Sequence, residues 1–268
     1  MKRRIFTILK FALMAYGIIG IAVYYLQDYI LFHPERRAKE AKWTFDIPHR
    51  DINVPFNDSA NMNVVQFTAG DTPRGVVLYF HGNRKNIAWY ARYAKNFTKH
   101  GYEVWMIDYP GYGKSTGALT EQSLYAYAEQ LYKLALPRFT PDKIILYGKS
   151  MGTGIAAWLA TRKNCQQLVL ETPYYSMRTL VQHYLPIYPV RRMIHYNLPT
   201  YSYLPEIIVP VTIFHGTDDG VIPYSQAERL KPLLKKGDAF VAIPGGSHNN
   251  LNDYPQFHQK LDSLLDLH

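Results

Sequence analysis

A serine set between glycines is the residue whose surroundings in this sequence point most directly to chemistry. The pentapeptide Gly-Lys-Ser-Met-Gly at 148–152 places Ser150 between a short apolar run at 143–147 and a small-residue segment at 151–163. The run predicts a buried strand and the segment predicts a helix, so Ser150 would occupy a sharp turn between them. Such a turn exposes the hydroxyl above a sheet and directs the first N–H groups of the helix toward it. The setting predicts a nucleophilic serine, with close packing of strand on helix as the alternative role of the turn.

A carboxylate and an imidazole follow the serine along the chain. Asp219 and His248 each come shortly after an apolar run that predicts a strand. Both would therefore lie at the carboxyl edge of a sheet, where ligands bind in open α/β folds. A serine hydroxyl is a poor nucleophile at neutral pH, so an imidazole must accept its proton and a carboxylate must fix the imidazole tautomer. We predict a triad of Ser150, Asp219 and His248, with Asp218 as the competing acid.

The donors that would stabilise an oxyanion are predicted at two turns. One is the start of the helix after Ser150, and the other is the glycine turn that follows a buried run at 75–80. We assign the backbone N–H groups of Asn83 and Met151, because two preorganised donors stabilise a transition state by several kcal/mol. His81 and His215 are interpreted as side chains that brace loops, not as catalytic groups.

Strands and helices alternate along most of the chain, which predicts the elements that position these residues. Strands are predicted at 52–56, 62–67, 75–80, 103–107, 143–147, 167–171, 211–214 and 239–243, the first two as a hairpin. Helices are predicted at 84–99, 120–136, 151–163, 224–235 and 254–267. This alternation predicts an α/β fold in which a mostly parallel sheet is covered by helices on both faces.

One segment interrupts the alternation. Residues 173–206 are rich in Tyr and Pro, which argues against disorder, and they follow a predicted strand next to Ser150. We predict a small helical cap that lines an acyl or alcohol pocket. The glycine-rich turn at 108–115 lacks the spacing of a phosphate-binding loop and is interpreted as structural.

The ordered set of segments resembles α/β-hydrolases of the Bem46 group, which includes α/β-hydrolase domain-containing proteins 13 and 17, in a bacterial membrane-anchored form. The matching stretches lie at 31–34, 79–83, 108–115, 148–152, 171–173, 185–191, 215–219 and 246–249. The chain departs from the group at 197–203, where relatives carry a shorter Asp-Ser turn, so the cap contacts there are not implied.

The resemblance implies an α/β-hydrolase fold and a serine hydrolase acting on a carboxylic ester or thioester through an acyl-enzyme on Ser150. Its eukaryotic members imply depalmitoylation of membrane proteins. An amidase or peptidase is the alternative within the class, and a catalytically silent anchored binding protein is the alternative outside it. The expected ligand is a small or lipid-like acyl substrate, without a cofactor.

The N-terminus carries a second pattern, an apolar segment at 5–26 whose one charged residue is Lys10. The uninterrupted part, 11–26, approaches the length of about 20 residues that crosses a bilayer core. A cleaved signal peptide is the rival interpretation, but no small-residue cleavage site follows the run. We predict an uncleaved single-pass membrane anchor and expect a chain starting near Gln27 to be soluble and active.

Flanking charges bear on the orientation of this anchor. Basic residues before the apolar segment favour a cytoplasmic N-terminus and a non-cytoplasmic catalytic domain; they are Lys2, Arg3, Arg4 and Lys10. Basic residues after the segment oppose that orientation; they are Arg36, Arg37 and Lys39. Tyrosines 24, 25 and 29 would lie at the far membrane interface.

Composition sets the remaining expectations. The formal net charge is +9 without any evident nucleic-acid module. A basic face on anionic lipid and plain solubility both explain the charge. The single cysteine, Cys165, excludes an intrachain disulfide and is interpreted as a bystander, and the sequence carries no zinc or calcium motif. We divide the chain into an anchor at 1–28, a juxtamembrane linker at 29–50 and a catalytic domain at 51–268, with no expectation about oligomeric state.

Overall fold

An eight-stranded sheet forms the centre of the computed structural model, which describes residues 1–266. The strands are β1 His49–Asn57, β2 Ala60–Phe67, β3 Gly75–Phe80, β4 Tyr102–Ile107, β5 Ile144–Lys149, β6 Gln167–Glu171, β7 Val211–Gly216 and β8 Ala239–Ile243. Their order across the sheet is β8-β7-β6-β5-β3-β4-β2-β1. The hairpin β1–β2 and the pair β2–β4 are antiparallel, and all other pairs are parallel. The eight predicted strands and the opening hairpin are thereby confirmed.

The α-helices are α1 Lys2–Tyr25, α2 Gln27–Leu31, α3 Ile87–Tyr90, α4 Lys95–Thr98, α5 Glu121–Ala135, α6 Met151–Ala160, α7 Met177–Tyr184, α8 Val190–Met193, α9 Thr200–Tyr203, α10 Tyr224–Glu228 and α11 Pro255–Asp266. Helix α5 agrees with its prediction, and α11 agrees except that the last predicted residue, 267, lies outside the described part of the chain. Helix α6 ends three residues before the predicted boundary of 163.

Two predicted helices are wrong as continuous elements. Residues 84–99 form a short strand, Arg84–Lys85, then α3, a 3₁₀ turn and α4. The Asn86 side chain accepts a hydrogen bond from Ala88 N, so the first helix starts at residue 87 and not at 84. Residues 224–235 form α10 and a separate 3₁₀ turn, Lys231–Leu233. Pro232 lacks the N–H that a continuing helix would use.

Alternation along the strands explains why both faces of the sheet are covered. In β3, Val76, Leu78 and Phe80 pack into one buried cluster, which includes residues of α5 and α6. Val77 and Tyr79 point the other way, into a cluster that includes residues of α4 and α11. Residues 76–80 of β3 are fully buried, so the strand contributes side chains to the core on each face of the sheet.

The N-terminal segment folds onto the α/β domain. Helix α1 is long and apolar enough to cross a membrane, and α2 follows it after one residue. His33–Pro34 then pairs in parallel with Arg84–Lys85, and Phe32 is only 2% exposed. The residues predicted as a linker therefore pack against the loop that follows β3.

Glycines let α6 lie unusually close to the sheet. A Cβ atom built on Gly152 would lie 2.0 Å from the carbonyl oxygen of Phe80, and one on Gly148 would lie 2.5 Å from the carbonyl oxygen of Gly152. Both neighbours are backbone atoms, which cannot swing away as a side chain could. The helix can start directly above β3 only because these positions lack side chains.

We expect Gly152→Ala to lower the apparent melting temperature of the full-length protein, since overpacking against backbone costs about 1–3 kcal/mol or more. Gly220→Ala is the matched control, because a Cβ there meets nothing within 4 Å. Differential scanning fluorimetry in detergent micelles measures both. Equal melting temperatures for the two variants would contradict the packing described for α6.

Candidate active site

Ser150 occupies the turn between β5 and α6 in a strained conformation. Its φ of 52° and ψ of −121° lie outside the regions that L-residues prefer. Its N–H donates to the carbonyl of Glu171 at 2.9 Å, and its own carbonyl accepts from Thr153 N at 2.9 Å. The neighbouring strand and the first helical turn therefore hold the strained residue in place, and its side chain points to the carboxyl edge of the sheet.

The structure brings Ser150, His248 and Asp219 into one hydrogen-bonded chain. His248 Nε2 lies 3.0 Å from Ser150 Oγ, and His248 Nδ1 lies 2.8 Å from Asp219 Oδ2. All three residues are buried, with exposures of 5–8%. An imidazole in this position can accept the serine proton while the carboxylate holds its tautomer.

Asp219, and not Asp218, faces the imidazole. Burial disfavours ionisation of Asp219, but the hydrogen bond and charge of His248 outweigh it, together with the N–H groups of Ile222 and Val221, and lower its pKa. Asp219 therefore carries a negative charge at neutral pH. Asp218 is exposed and accepts a hydrogen bond from the hydroxyl of its neighbour Thr217.

The two histidines interpreted as structural lie beneath the site. His215 is fully buried, its Nε2 contacts the carbonyl of Ile222 at 2.9 Å, and burial lowers its pKa. A neutral ring at this position braces the turn that carries Asp219. His81 is also fully buried, with Nδ1 2.7 Å from the carbonyl of Gly82 and Nε2 3.5 Å from Asp108 Oδ1. Neither ring hydrogen-bonds Ser150, which agrees with the structural interpretation.

The predicted oxyanion donors lie on either side of Ser150. Met151 is the first residue of α6, and Asn83 lies in the loop after β3 and shares a cavity wall with Ser150. The Asn83 carbonyl accepts from His33 N and from the Tyr112 hydroxyl, which fixes the orientation of the loop. In residues 1–266 no backbone acceptor takes up the N–H of Asn83 or Met151. Both groups are therefore available to a ligand oxygen, and their role in an oxyanion hole stays a prediction.

A buried ion pair next to Ser150 was not anticipated from the sequence. Lys149 Nζ contacts Glu171 Oε1, and both side chains are at most 2% exposed. The Tyr147 hydroxyl donates to the other Glu171 oxygen, and Lys149 Nζ also lies 3.4 Å from the carbonyl of His248. The two charges are register partners at the ends of β5 and β6. Two opposite charges at the ends of neighbouring buried strands are the signal that could have revealed the pair.

Cys165 is buried and free, as its interpretation as a bystander requires. Burial raises the pKa of its thiol to about 12, so the group is a neutral thiol at physiological pH. Since the thiolate is the reactive form, Cys165 is not a competing nucleophile.

Two cavities meet at Ser150. The first, of about 440 Å³, is mainly apolar and runs between the cap helix α7 and the N-terminal helices. The second, of about 320 Å³, is more polar and lies on the side of His248, Trp89 and Lys149. Helices α7, α8 and α9 occupy the segment predicted as a cap, and α7 forms one wall of the apolar cavity. The arrangement can hold an acyl group on one side of the serine and a leaving group on the other.

Comparison with known proteins gives the same fold. Residues 71–203 match the family model Hydrolase_4, described as serine aminopeptidase, S33. Among solved structures, a Pyrococcus furiosus esterase superposes with a TM-score of 0.66 at 15% identity, covering 88% of this chain and 96% of that one. The α/β hydrolase GrgF from Penicillium superposes with a TM-score of 0.65 at 14% identity, covering 82% and 97%. The chain therefore has the α/β-hydrolase fold, as the sequence predicts.

Curated relatives share part of their length with this chain. Alpha/beta hydrolase domain-containing protein 17C of Xenopus tropicalis is 28% identical over 196 residues, covering 72% of this chain and 62% of that protein. Alpha/beta hydrolase domain-containing protein aho-3 of Caenorhabditis elegans is 29% identical over 195 residues, covering 71% and 57%. The chain thus spans about six-tenths of these relatives. Together with the family model, they support a hydrolase, while the Bem46 grouping and a bacterial origin stay predictions.

We expect Glu171→Gln to destabilise the protein strongly, because it leaves the Lys149 ammonium buried without a charged partner, a loss of about 3–5 kcal/mol. The exposed pair Lys231–Glu228 offers the control, since breaking a surface pair costs about 1 kcal/mol or less. Apparent melting temperatures of Glu171→Gln and Glu228→Gln measure the difference. The double variant Lys149→Met/Glu171→Gln should recover stability relative to Glu171→Gln. An unchanged melting temperature for Glu171→Gln would contradict the claim that the buried Lys149 ammonium needs a charged partner.

Proposed function

We propose that this α/β-hydrolase is a membrane-anchored serine hydrolase that cleaves carboxylic esters or thioesters through an acyl-enzyme on Ser150. The observation that carries the proposal is the hydrogen-bonded chain from Ser150 through His248 to Asp219, set where an apolar and a more polar cavity meet. A nucleophile with its base, an orienting acid and space for both halves of a substrate are the parts that acyl transfer needs.

The proposed reaction has two halves. Ser150 Oγ attacks the substrate carbonyl carbon while His248 Nε2 accepts the hydroxyl proton, and the N–H groups of Asn83 and Met151 stabilise the oxyanion. The tetrahedral intermediate collapses as His248 returns the proton to the departing alcohol or thiol, leaving the acyl group on Ser150. Water then attacks the acyl-enzyme with His248 as base, which releases the carboxylic acid and restores the hydroxyl.

Amide or peptide hydrolysis is the second candidate, because the matched family model is described as a serine aminopeptidase. An aminopeptidase must recognise a free α-amino group, for which a carboxylate is the natural partner. Within residues 1–266, no Asp or Glu side chain lines either cavity at Ser150. An apolar cavity without a carboxylate favours an acyl ester or thioester over a peptide N-terminus.

The membrane placement is the other part of the proposal. Helix α1 has the length and composition to span a bilayer, and no residue of its most apolar stretch is buried by the rest of the chain. The basic residues at positions 2–4 favour a cytoplasmic N-terminus, so the catalytic domain would lie on the non-cytoplasmic side. The substrate would then be an acyl compound at or in that membrane.

Single substitutions test the chemistry. We expect Ser150→Ala and Asp219→Asn to lower kcat for p-nitrophenyl acetate by about three to four orders of magnitude, because each removes a member of the proton-transfer chain. Asp218→Asn is the matched control and should have little effect, since Asp218 is exposed at the same turn. Apparent melting temperatures establish that each variant is folded. A larger loss for Asp218→Asn than for Asp219→Asn would reassign the acid, and full activity of Ser150→Ala would end the proposal.

Membrane extraction and protease accessibility test the placement. We expect the full-length protein to stay with membranes after a carbonate wash, because a spanning helix is held by hydrophobic burial and not by charge. Protease added outside intact spheroplasts should digest the catalytic domain. Release of the protein into the carbonate supernatant would contradict the membrane anchor. Protection of the catalytic domain from the protease would indicate the opposite orientation.

A further inference from the structure

The N-terminal helices form part of the wall of the catalytic cavity. Val23 of α1 and Ile30 and Leu31 of α2 line the same apolar cavity as Ser150. Val23 is the buried residue of α1, at 6% exposure, in a helix whose other apolar side chains are mostly exposed. The cap supplies the opposite wall, which includes Leu180 and Val181 of α7. The cavity therefore runs from the nucleophile into the space between the membrane helix and the cap.

Specific contacts fix α1 and α2 to the cap. The buried Gln27 amide donates to the carbonyls of Tyr24 at 2.7 Å and Met193 at 3.2 Å, and its oxygen accepts from His195 N at 2.8 Å. One glutamine thus makes one hydrogen bond to the end of α1 and two to the cap. A buried amide with its groups satisfied in this way specifies one arrangement of the two segments.

An aromatic contact extends the same interface further along α1. The rings of Tyr16 and Tyr188 stack with centroids 4.5 Å apart and planes 4° apart, and the Tyr188 hydroxyl donates to the Tyr16 carbonyl at 3.0 Å. Gly20 lies under the same ring, where a Cβ would come within 3.3 Å of Tyr188. The membrane helix is therefore held against the cap over several turns, which a simple tether would not require.

We infer that the anchor is part of the substrate-binding site: Val23, Ile30 and Leu31 form one wall of a subsite for a fatty acyl chain that enters from the bilayer beside α1. The inference rests on the proposed function and names its substrate class. The cavity volume of about 440 Å³ lies in the range of small-molecule sites, and its walls offer aliphatic and tyrosine side chains in place of charges. Its anchor wall lies at the end of α1 where the chain leaves the predicted membrane span, so lipid chains are the apolar ligands at hand.

This arrangement revises the expectation for a chain that starts near Gln27. Such a chain keeps all the strands that carry Ser150, Asp219 and His248, but it loses Val23 and the contacts of Tyr16 with the cap. It would lack the part of the anchor wall that Val23 forms, while Ile30 and Leu31 remain. Substrates with short acyl groups do not reach that wall, whereas long acyl groups depend on it.

The chain-length profile of the full-length enzyme in phosphatidylcholine vesicles tests the inference. We expect Val23→Trp, which fills the subsite, to lower the ratio of kcat/KM for p-nitrophenyl octanoate to that for p-nitrophenyl acetate by about tenfold or more, the scale on which a hydrophobic pocket discriminates. Ile30→Trp, at a half-exposed position of the same wall, should also lower this ratio of kcat/KM values. Ile18→Trp is the matched control, because Ile18 is 59% exposed on the same helix and outside both cavities. An unchanged ratio in both Val23→Trp and Ile30→Trp, with Ser150-dependent acetate hydrolysis retained, would overturn the inference and leave the proposed function standing.

A binding measurement keeps the inference testable if catalysis fails. In full-length Ser150→Ala, a diazirine-bearing stearic acid should crosslink to the cap peptide that contains α7, and Val23→Trp should reduce that capture relative to Ile18→Trp. Equal capture in the two variants would contradict an acyl subsite at the anchor. Hydrolysis of p-nitrophenyl acetate that persists in Ser150→Ala would instead overturn the proposed function alone.

The acyl chain could come from a glycerolipid ester or from an S-acylated cysteine, and parallel assays separate the two. Lysophosphatidylcholine and an S-octanoyl cysteine peptide are offered to the wild-type enzyme in the same vesicles. Turnover of the first identifies a lipid ester as the source, and turnover of the second identifies a thioester. Val23→Trp should lower whichever rate is observed, and an undiminished rate would count against the subsite.

Discussion

The close approach of α6 to β3 is the constraint on which the rest of the site depends. With no side chain at Gly152, the first turn of the helix lies against the carbonyls of Phe80 and His81. This contact sets the strained turn at Ser150 and brings Met151 beside the loop that carries Asn83. A side chain at position 152 would push α6 away from the sheet and disturb the placement of Ser150 relative to both predicted oxyanion donors. The geometry of the candidate site is thus a consequence of backbone packing.

The buried Lys149–Glu171 pair connects this packing to the loop that carries His248. Its members end adjacent strands, Glu171 also holds Ser150 through its carbonyl, and the ammonium reaches the carbonyl of His248. Removing two charges from water is costly, and apolar residues could fill the same space with equal or greater stability. A pair in this position contributes orientation, because it joins the strand that leads to Ser150 to the loop that carries His248. The neutral, buried His215 likewise holds the turn that carries Asp219, through its contact with the carbonyl of Ile222.

The sequence predicted the features that follow from local chemistry and periodicity. Apolar runs of strand length, glycines around Ser150 and the order of Ser150, Asp219 and His248 were enough for the sheet and for the three residues that the structure brings together. The continuous helix at 84–99 was wrong: Arg84–Lys85 pairs as a strand with His33–Pro34, which is distant in sequence, and the Asn86 side chain caps a helix that starts only at residue 87. The Lys149–Glu171 contact depends on strand register, and the wall formed by Val23 depends on how the N-terminal helices pack against the cap. Neither relation is local in sequence. Opposite charges at the ends of two predicted buried strands were a signal for the first, and periodicity gives none for the second.

Ser150 as the nucleophile is the central claim, and mapping a covalent adduct tests it most directly. The purified full-length protein is treated with an alkyl fluorophosphonate, digested with trypsin and examined by mass spectrometry. Because trypsin cleaves after Lys149 and after Arg162, the adduct is predicted on the peptide 150–162, with the fragment series placing the added mass on Ser150. An adduct on a different residue, or an intact protein that takes up no phosphonate while its fold is retained, would contradict the assignment.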